Sequence, residues 1–174
     1  LVGFLRRSGR PDAAAALADR VVAAAPAEPA AYLARSHLAQ HRGDLAQAIA
    51  DTRAAMACSA DPGPARPRLA DLLYEAGDLE AAAALLQAIL GPEGDDPVLL
   101  ARLADVADAA GDGPTMTAAL DRAMAARRWT GVGSAGLLMS LLRAGRLADA
   151  LPDLDLRWSA SGAPPRPFAQ PAWD

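Results

Sequence analysis

Two histidines are the residues of this sequence best suited to binding a metal ion. His37 and His41 are four residues apart, so on a helix both side chains project from one face. Asp71 or Glu75 would supply a further ligand if a neighbouring helix brought them close, but no spacing in the sequence requires this. The zinc-protease pattern also needs a glutamate directly after the first histidine, where Leu38 stands. We therefore favour histidines on a helix surface without a metal ion.

Nucleophilic and acid–base catalysis find no support in the residue spacing. No Ser/His/Asp or Cys/His combination has the spacing of a catalytic site, and no glycine-rich phosphate loop follows a strand pattern. The carboxylate pairs Asp95-Asp96 and Asp153/Asp155 fit solvated loop or helix-end charges better than an acid–base pair. We therefore expect no catalytic site and no cofactor, and no enzyme activity in this segment.

Charge and composition narrow the choice of partners. The 174 residues carry a net charge of −4, and all 17 basic residues are arginines interspersed with acids, so a nucleic-acid partner is not expected. No uninterrupted apolar run is long enough to span a membrane, so membrane insertion is not expected. The single cysteine, Cys58, suits a small residue near a helix end in a reducing compartment, which favours a cytoplasmic location.

Five glycines divide the chain at a constant interval. They recur every 34 residues, at Gly9, Gly43, Gly77, Gly111 and Gly145. Glycine costs about 1 kcal/mol relative to alanine inside a helix, whereas directly after a helix it adopts the left-handed backbone without penalty. Apolar residues at helical spacing precede each glycine and an Ala-rich run follows it. The pattern predicts a first helix, helix A, that ends at each glycine and a second, helix B, that begins just after it.

The residues after the glycines match this prediction. Asp44, Asp78 and Asp112 each follow a glycine directly, where a short carboxylate can cap the next helix. Pro11 and Pro114 suit the first turn of helix B, where a missing N–H costs nothing.

Prolines further along the chain predict where the regular pattern changes. Pro62, Pro64 and Pro67 should delay the third helix A until about Arg66 and shorten it. The helix B after it should run from Leu79 to Leu90, and the "TGVGSAG" stretch should be a flexible step before the fifth copy. Pro152 should shorten, kink or shift the last helix B, since an interior proline costs about 3 kcal/mol.

The period and the placement of small residues resemble the tetratricopeptide repeat (TPR) family. With the family's turn glycine set at Gly43, small residues fall where paired helices approach closely: Ser36, Ala70 and Ala104 in helix A, and Ala14, Ala48, Ala82, Ala150, Ala55 and Ala123 in helix B. The family's aromatic positions depart from its pattern and carry Tyr32, Arg66, Leu100 and Ser134. The resemblance covers roughly residues 1–157. It implies an all-α fold, an α-α superhelix of about five helical hairpins with a Pro-rich extended tail over 158–174.

The resemblance also implies a concave groove in which helix A residues bind a protein or an extended peptide. Carried over by position, the groove residues are Arg6, His37, Gln40, His41, Arg68, Asp71, Tyr74, Glu75, Arg102, Asp105 and Asp108. Tyr74, Arg68 and Arg102 are the leading contacts, since exposed aromatics and arginines often anchor recognition. The alternative is a solvated helix face without a ligand. The chain has no Lys and no Asn, so it lacks the residues of the family's carboxylate clamp and of its asparagine ladder.

The C-terminal stretch carries a second resemblance. After Arg157-Trp158 the chain is Pro-rich and reaches "PFAQPAWD", which resembles the junction of bacterial proteins in which a TPR array precedes a glycosyltransferase domain. The matching residues are Gln170, Pro171, Trp173 and Asp174. This implies the N-terminal scaffold of a longer bacterial glycosyltransferase. The alternatives are a tail that caps the last hairpin, a free-standing adaptor, or the TPR region of a sulfotransferase.

Overall fold

The computed structural model describes residues 11–126 and 134–150, and every regular element within them is helical. The α-helices are α1 (Pro11–Ala24), α2 (Pro29–His41), α3 (Leu45–Cys58), α4 (Arg66–Glu75), α5 (Leu79–Leu90), α6 (Pro97–Ala110), α7 (Gly113–Ala125) and α8 (Ser134–Arg143). A 3-10 turn over Gly63–Ala65 precedes α4, and residues 147–150 are helical again. The predicted all-α fold is confirmed.

The chain divides into two compact units, residues 1–92 and residues 93–174. In the first unit α1 packs on α2, α2 on α3, α3 on α4 and α4 on α5. In the second unit α6 packs on α7, and α8 packs on both. The helices α2, α4, α6 and α8 are the predicted A helices, and α1, α3, α5 and α7 are the predicted B helices. Within each unit, helices therefore form hairpins that pack against the next helix along the chain.

The predicted glycine turns are present wherever the structure describes them. Gly43, Gly77, Gly111 and Gly145 have φ angles of 77°, 80°, 72° and 71°, which only glycine adopts without strain. In the first of these turns the amides of Gly43 and Asp44 donate to the carbonyls of Gln40 and Ala39, at 2.9 Å each, and the other three turns repeat both bonds. Each turn thereby pairs carbonyls that a helix end leaves open. Gly9 lies outside the described residues.

The aspartates after three of these glycines cap the B helices as predicted. The carboxylates of Asp44, Asp78 and Asp112 accept from the third amide after them, at 3.0, 3.2 and 3.1 Å. Asp96, one of the paired loop carboxylates, caps α6 in a similar way, at 2.8 Å from the amide of Val98. Pro114 lies in the first turn of α7, where its missing N–H costs nothing.

The proline-rich step before the third A helix shortens that helix, as predicted. The α-helix α4 begins at Arg66 and has 10 residues, compared with 13 in α2. The preceding 3-10 turn was not predicted. It forms because the amide of Ala65 reaches the carbonyl of Pro62 at 3.1 Å, and because the Asp61 carboxylate accepts from the amide of Gly63 at 2.9 Å. One local turn thus replaces the first turn of the α-helix.

Small residues lie where the helices of a hairpin meet, as the resemblance implied. Ser36, Ala70, Ala104, Ala14, Ala48, Ala82, Ala150, Ala55 and Ala123 are each at most 1% exposed. Larger side chains surround them, and Leu72, Leu86, Leu100 and Leu120 are also at most 1% exposed. Burying one leucine fully contributes about 1.5–3 kcal/mol, so the leucines supply most of the hydrophobic stabilisation while the alanines permit close approach.

Several predictions lie wholly or partly outside the described residues. These are the effect of Pro152, the Pro-rich segment over 158–174 and most of the "TGVGSAG" step, although α8 begins within that step at Ser134. Among the described helices, none combines the length and the apolar character that crossing a bilayer requires.

Candidate interaction site on the A helices

A half-open cavity of about 380 Å³ lies between two A helices of the first unit. Pro29, Leu33 and His37 follow one another at four-residue intervals, so one face of α2 forms one wall. The 3-10 turn and the start of α4 form the opposite wall, which includes Pro64 and Arg68. Prolines and a leucine therefore make much of the surface apolar, and Arg68 brings a positive charge to it.

The guanidinium of Arg68 is held by neutral oxygen atoms. Its Nη2 donates to Ser36 Oγ at 3.0 Å and to Gln40 Oε1 at 3.2 Å. Its Nε is buried and finds no hydrogen-bond partner within residues 11–126 and 134–150. Among the ion pairs of these residues, none joins Arg68 to a carboxylate. Arg68 is thus a half-buried cation whose direct contacts do not neutralise it.

Partial burial makes the charged form of Arg68 less favourable than it would be in water. Desolvation lowers the pKa of Arg68, and the more distant negative charges of Asp71 and Glu75 oppose that shift. An arginine remains protonated in proteins despite such a shift, so the site keeps its positive charge at neutral pH. A buried donor without a partner costs about 1–3 kcal/mol, which the fold must offset elsewhere.

Ser36 is itself fixed by a buried network in the α2–α3 hairpin. Its Oγ lies 2.9 Å from the carbonyl oxygen of Ala48 and 2.8 Å from Thr52 Oγ1. Thr52 Oγ1 also lies 2.9 Å from the Ala48 carbonyl, and both hydroxyl residues are fully buried. Because the network is buried, the oxygen that receives Arg68 has little freedom to move.

Gln40 of α2 bridges two side chains of α4, the guanidinium of Arg68 and the carboxylate of Glu75. Its Oε1 accepts from Arg68, and its Nε2 donates to Glu75 Oε1 at 2.7 Å. Three of the residues predicted for the groove are therefore brought together across α2 and α4.

The second unit joins its A helices by an ion pair instead. Asp105 of α6 accepts from Arg143 Nη1 and from Ser140 Oγ of α8, each at 2.9 Å. Asp105 was predicted for the groove, whereas Arg143 and Ser140 were not. Arg143 stands two 34-residue periods after Glu75, so extending the positional count to the fifth copy would have found it. For Ser140 the repeat offers no comparable signal.

The other predicted groove residues are placed as follows. His37 and His41 are exposed on α2, Tyr74 is 38% exposed on α4 beside the half-buried Asp71, and α6 carries Arg102 and Asp108. Arg6 lies outside the described residues. Over the described ranges, no group of three or more His, Cys, Asp or Glu side chains is placed to hold a metal ion.

Two further arginines form ion pairs that the sequence did not predict. Arg35 contacts Asp51 at 2.7 Å and Asp19 at 3.2 Å. The hydrogen bond that Arg35 donates to Asp51 is the main cause of the raised pKa of Arg35. Arg146 contacts Asp121 and Asp149 at 2.6 and 2.7 Å. Arg68 differs from these two half-buried arginines in that its hydrogen bonds go to neutral oxygens.

Cys58 lies at the end of α3, as the sequence suggested. Its thiol is exposed and free, with Sγ 3.6 Å from the carbonyl oxygen of Pro26. The cysteine therefore occupies a helix-end position, outside the group of side chains around Arg68.

Comparison with known proteins gives matches in structure only. No protein-family model matches the sequence, and no curated protein matches it in sequence. Among solved structures, MamA matches with a TM-score of 0.67 and 15% identity, covering 93% of this chain and 95% of MamA. YrrB, described as a TPR protein with an unusual peptide-binding site, matches with a TM-score of 0.59 and 12% identity, covering 92% of this chain and 83% of YrrB.

A thermophilic TPR protein from Thermus thermophilus, TTC0263, also matches. Its TM-score is 0.61 at 23% identity, and the match covers 92% of this chain and 94% of TTC0263. At these identities the likeness concerns the fold, and it agrees with the helical hairpins, glycine turns and buried small residues described above. The chain has the all-α repeat fold of TPR proteins.

Proposed function

We propose that this chain is a non-catalytic interaction scaffold whose A helices present side chains to a protein or peptide partner. The observation that carries the proposal is Arg68, a cation without a carboxylate partner among the described residues, at an open and largely apolar cavity. Such an arrangement costs stability, and sites that bind a ligand commonly retain such costs. The described peptide-binding site of the structurally similar YrrB supports the same type of function.

The side chains at and near the cavity offer non-covalent contacts to a partner. Apolar walls exclude water from a docked side chain, and Arg68, Gln40 and Glu75 offer charged and polar groups close by. Tyr74, exposed on the same helix as Arg68, adds an amphipathic ring of the kind that is enriched in interfaces.

Site-specific photo-crosslinking in the full-length protein tests this function. A photoreactive amino acid at Tyr74 should capture a partner from the native host, because that side chain is exposed on an A helix. The matched control is Glu80, which is exposed on the B helix α5 of the same hairpin. Equal capture from both positions would contradict a binding surface formed by the A helices.

We further propose that the scaffold is the N-terminal region of a bacterial, cytoplasmic glycosyltransferase. The residues Arg157, Trp158, Gln170, Pro171, Trp173 and Asp174 support this through their resemblance to the junction in such proteins. A downstream coding sequence for a nucleotide-sugar-binding α/β domain would agree with it. A stop codon would instead indicate a free-standing adaptor, and a phosphate-binding loop of the sulfotransferase type would indicate the third alternative.

A further inference from the structure

Resting on the proposed scaffold function, we propose that the Arg68 cavity binds the acidic side chain of a glutamate or aspartate within an extended peptide segment, together with a neighbouring apolar side chain. The ligand is thus an acidic and an apolar side chain that lie within a peptide chain and not at its end. The cavity recognises one negative charge and one apolar surface.

The requirement for a negative charge comes from Arg68. Its hydrogen bonds within the described ranges go to a serine hydroxyl and a glutamine carbonyl, both neutral. Hydrogen bonds between a guanidinium and a carboxylate are about twice as strong as neutral ones, so a carboxylate is the group that gains most here. Bringing it to a partly desolvated cation also strengthens the attraction relative to an exposed pair.

The requirement for an apolar neighbour comes from the walls. Pro29 and Leu33 of α2 face Pro64 and Ala65 of the 3-10 turn across the cavity. A leucine-sized side chain that leaves water for this space gains by hydrophobic burial. The carboxylate and the apolar group must come from nearby positions of one segment, because both features line the same cavity of about 380 Å³. In an extended chain side chains two positions apart lie on the same face, so a spacing of two residues suits the cavity.

The walls also favour a side-chain carboxylate over a chain terminus. The carboxylate of a C-terminus is attached directly to the backbone, so it would carry peptide N–H and C=O groups between apolar walls. Burying such groups without hydrogen-bond partners costs free energy. The methylene groups of a glutamate instead let its carboxylate reach Arg68 while the peptide backbone stays in water.

Other charged groups near the cavity modulate this preference. His37 lines the same cavity, and Asp61 lines its rim, where its carboxylate already accepts from the amide of Gly63. Asp61 is exposed, so water and salt screen its repulsion of a second carboxylate. The negative charges of Asp71 and Glu75 act on Arg68, but neither residue lines the cavity, so Arg68 is the permanent cation that a carboxylate ligand would meet there.

Calorimetric titration of the full chain with short synthetic peptides tests the proposal. The peptides are acetylated and amidated and differ only in two central positions, separated by one alanine, in an otherwise identical Ser/Ala background. These positions hold leucine and glutamate (Leu-Glu), leucine and glutamine (Leu-Gln) or alanine and glutamate (Ala-Glu). A fourth peptide has Leu-Gln and a free C-terminal carboxylate. We expect the Leu-Glu peptide to bind about tenfold more tightly than Leu-Gln, and Ala-Glu to bind several-fold more weakly than Leu-Glu.

The protein variants locate the effect. Arg68→Gln should remove the preference for Leu-Glu, whereas Arg143→Gln, an arginine on an A helix of the other unit, should keep it. Circular dichroism checks whether both variants remain helical. The comparison of Leu-Glu with Leu-Gln on the unaltered protein needs no variant, so it is informative even if Arg68→Gln unfolds.

Two outcomes overturn the inference. Equal affinity for Leu-Glu and Leu-Gln would show that the cavity reads no side-chain carboxylate. Tighter binding of the peptide with a free C-terminus than of Leu-Glu would show that the cavity takes a chain end. Either result, combined with partner capture at Tyr74, would leave the scaffold function standing. Leu-Glu selectivity without capture at Tyr74 would support the cavity and count against the scaffold function.

Discussion

The two units of this chain each join neighbouring A helices through an arginine, with opposite electrostatic results. In residues 1–92, Arg68 meets the neutral oxygens of Ser36 and Gln40. In residues 93–174, Arg143 meets the carboxylate of Asp105, which is its ion-pair partner. The glycine turns and aspartate caps are the same in both units, so the backbone is not the cause of the difference.

This difference separates the residues that build the fold from those that can bind a ligand. Arg143 and Asp105 satisfy each other within the second unit. Arg68 has no carboxylate partner among the described residues, and it lines an open cavity. On this comparison we propose a structural role for Arg143 and a binding role for Arg68.

The largest expected effect comes from giving Arg68 a carboxylate partner within the first unit, as Arg143 has in the second unit. Exchanging two side chains, Gln40→Glu with Glu75→Gln, places a carboxylate where Gln40 Oε1 now accepts from Arg68 and leaves the net charge unchanged. We expect the affinity for the Leu-Glu peptide to fall about tenfold, because Arg68 gains an internal partner. Calorimetric titration measures the change, and unchanged affinity would contradict a binding role for Arg68.

A smaller effect is expected on the free energy of unfolding when each arginine is replaced by methionine, and the two replacements should differ in direction. Arg143→Met should lower the free energy of unfolding by about 0.5–1 kcal/mol, since it removes a partly exposed ion pair. Arg68→Met should leave that free energy unchanged or raise it by up to about 1 kcal/mol, since it removes a buried donor without a partner. Urea denaturation measures the free energy of unfolding of both variants. A loss on Arg68→Met as large as on Arg143→Met would show that Arg68 is structural.

A still smaller effect should come from the rim of the cavity. Asp61→Asn keeps an oxygen for the amide of Gly63 and removes a negative charge that opposes the ligand. We expect the Leu-Glu peptide to bind about two- to threefold more tightly, because an exposed charge contributes about 1 kcal/mol or less. The gain should disappear in high salt. Asp95→Asn, in a loop of the other unit, is the control and should change nothing.

The smallest effect concerns the caps that the two units share. A hydrogen bond from Thr115 lowers the pKa of Asp112 below its ordinary value of 3.8. Because the folded-state pKa is depressed, the stabilisation by this cap is complete above that ordinary value and is lost as the pH falls through the lower one. The protection of amides at the start of α7 against hydrogen exchange, relative to their intrinsic rates, should therefore fall in acid. Asp112→Ala should remove this pH dependence, and an unchanged dependence would contradict the cap.

Local features of the fold were predictable because they depend on short stretches of chain. A glycine in the left-handed conformation, an aspartate cap or a proline in a first helical turn is decided within a few residues, as at Gly77, Asp78 and Pro114. The small residues of the hairpins, such as Ala48, were also predictable, since a 34-residue count places them. The 3-10 turn before α4 was missed, because three prolines indicate an interruption but do not specify its geometry.

The candidate site was predictable only as a set of positions. The positional count placed Gln40, Arg68 and Glu75 on A helices, yet it did not indicate that Gln40 would bridge the other two. The pairing of Arg35 with Asp51 was missed for the same reason. Such contacts join residues 16 or more apart, so they depend on the rotation of each helix and on the rotamer of each side chain.

The amino-acid sequence alone determined the repeat: where helices end, which residues restart them and which small side chains allow close packing. Those outcomes follow from the backbone preferences of glycine, proline and aspartate and from the size of alanine. Only the tertiary structure decided which arginine is neutralised. Arg68 and Arg143 are chemically identical, and what distinguishes them is whether the neighbouring A helix presents an amide and a hydroxyl or a carboxylate.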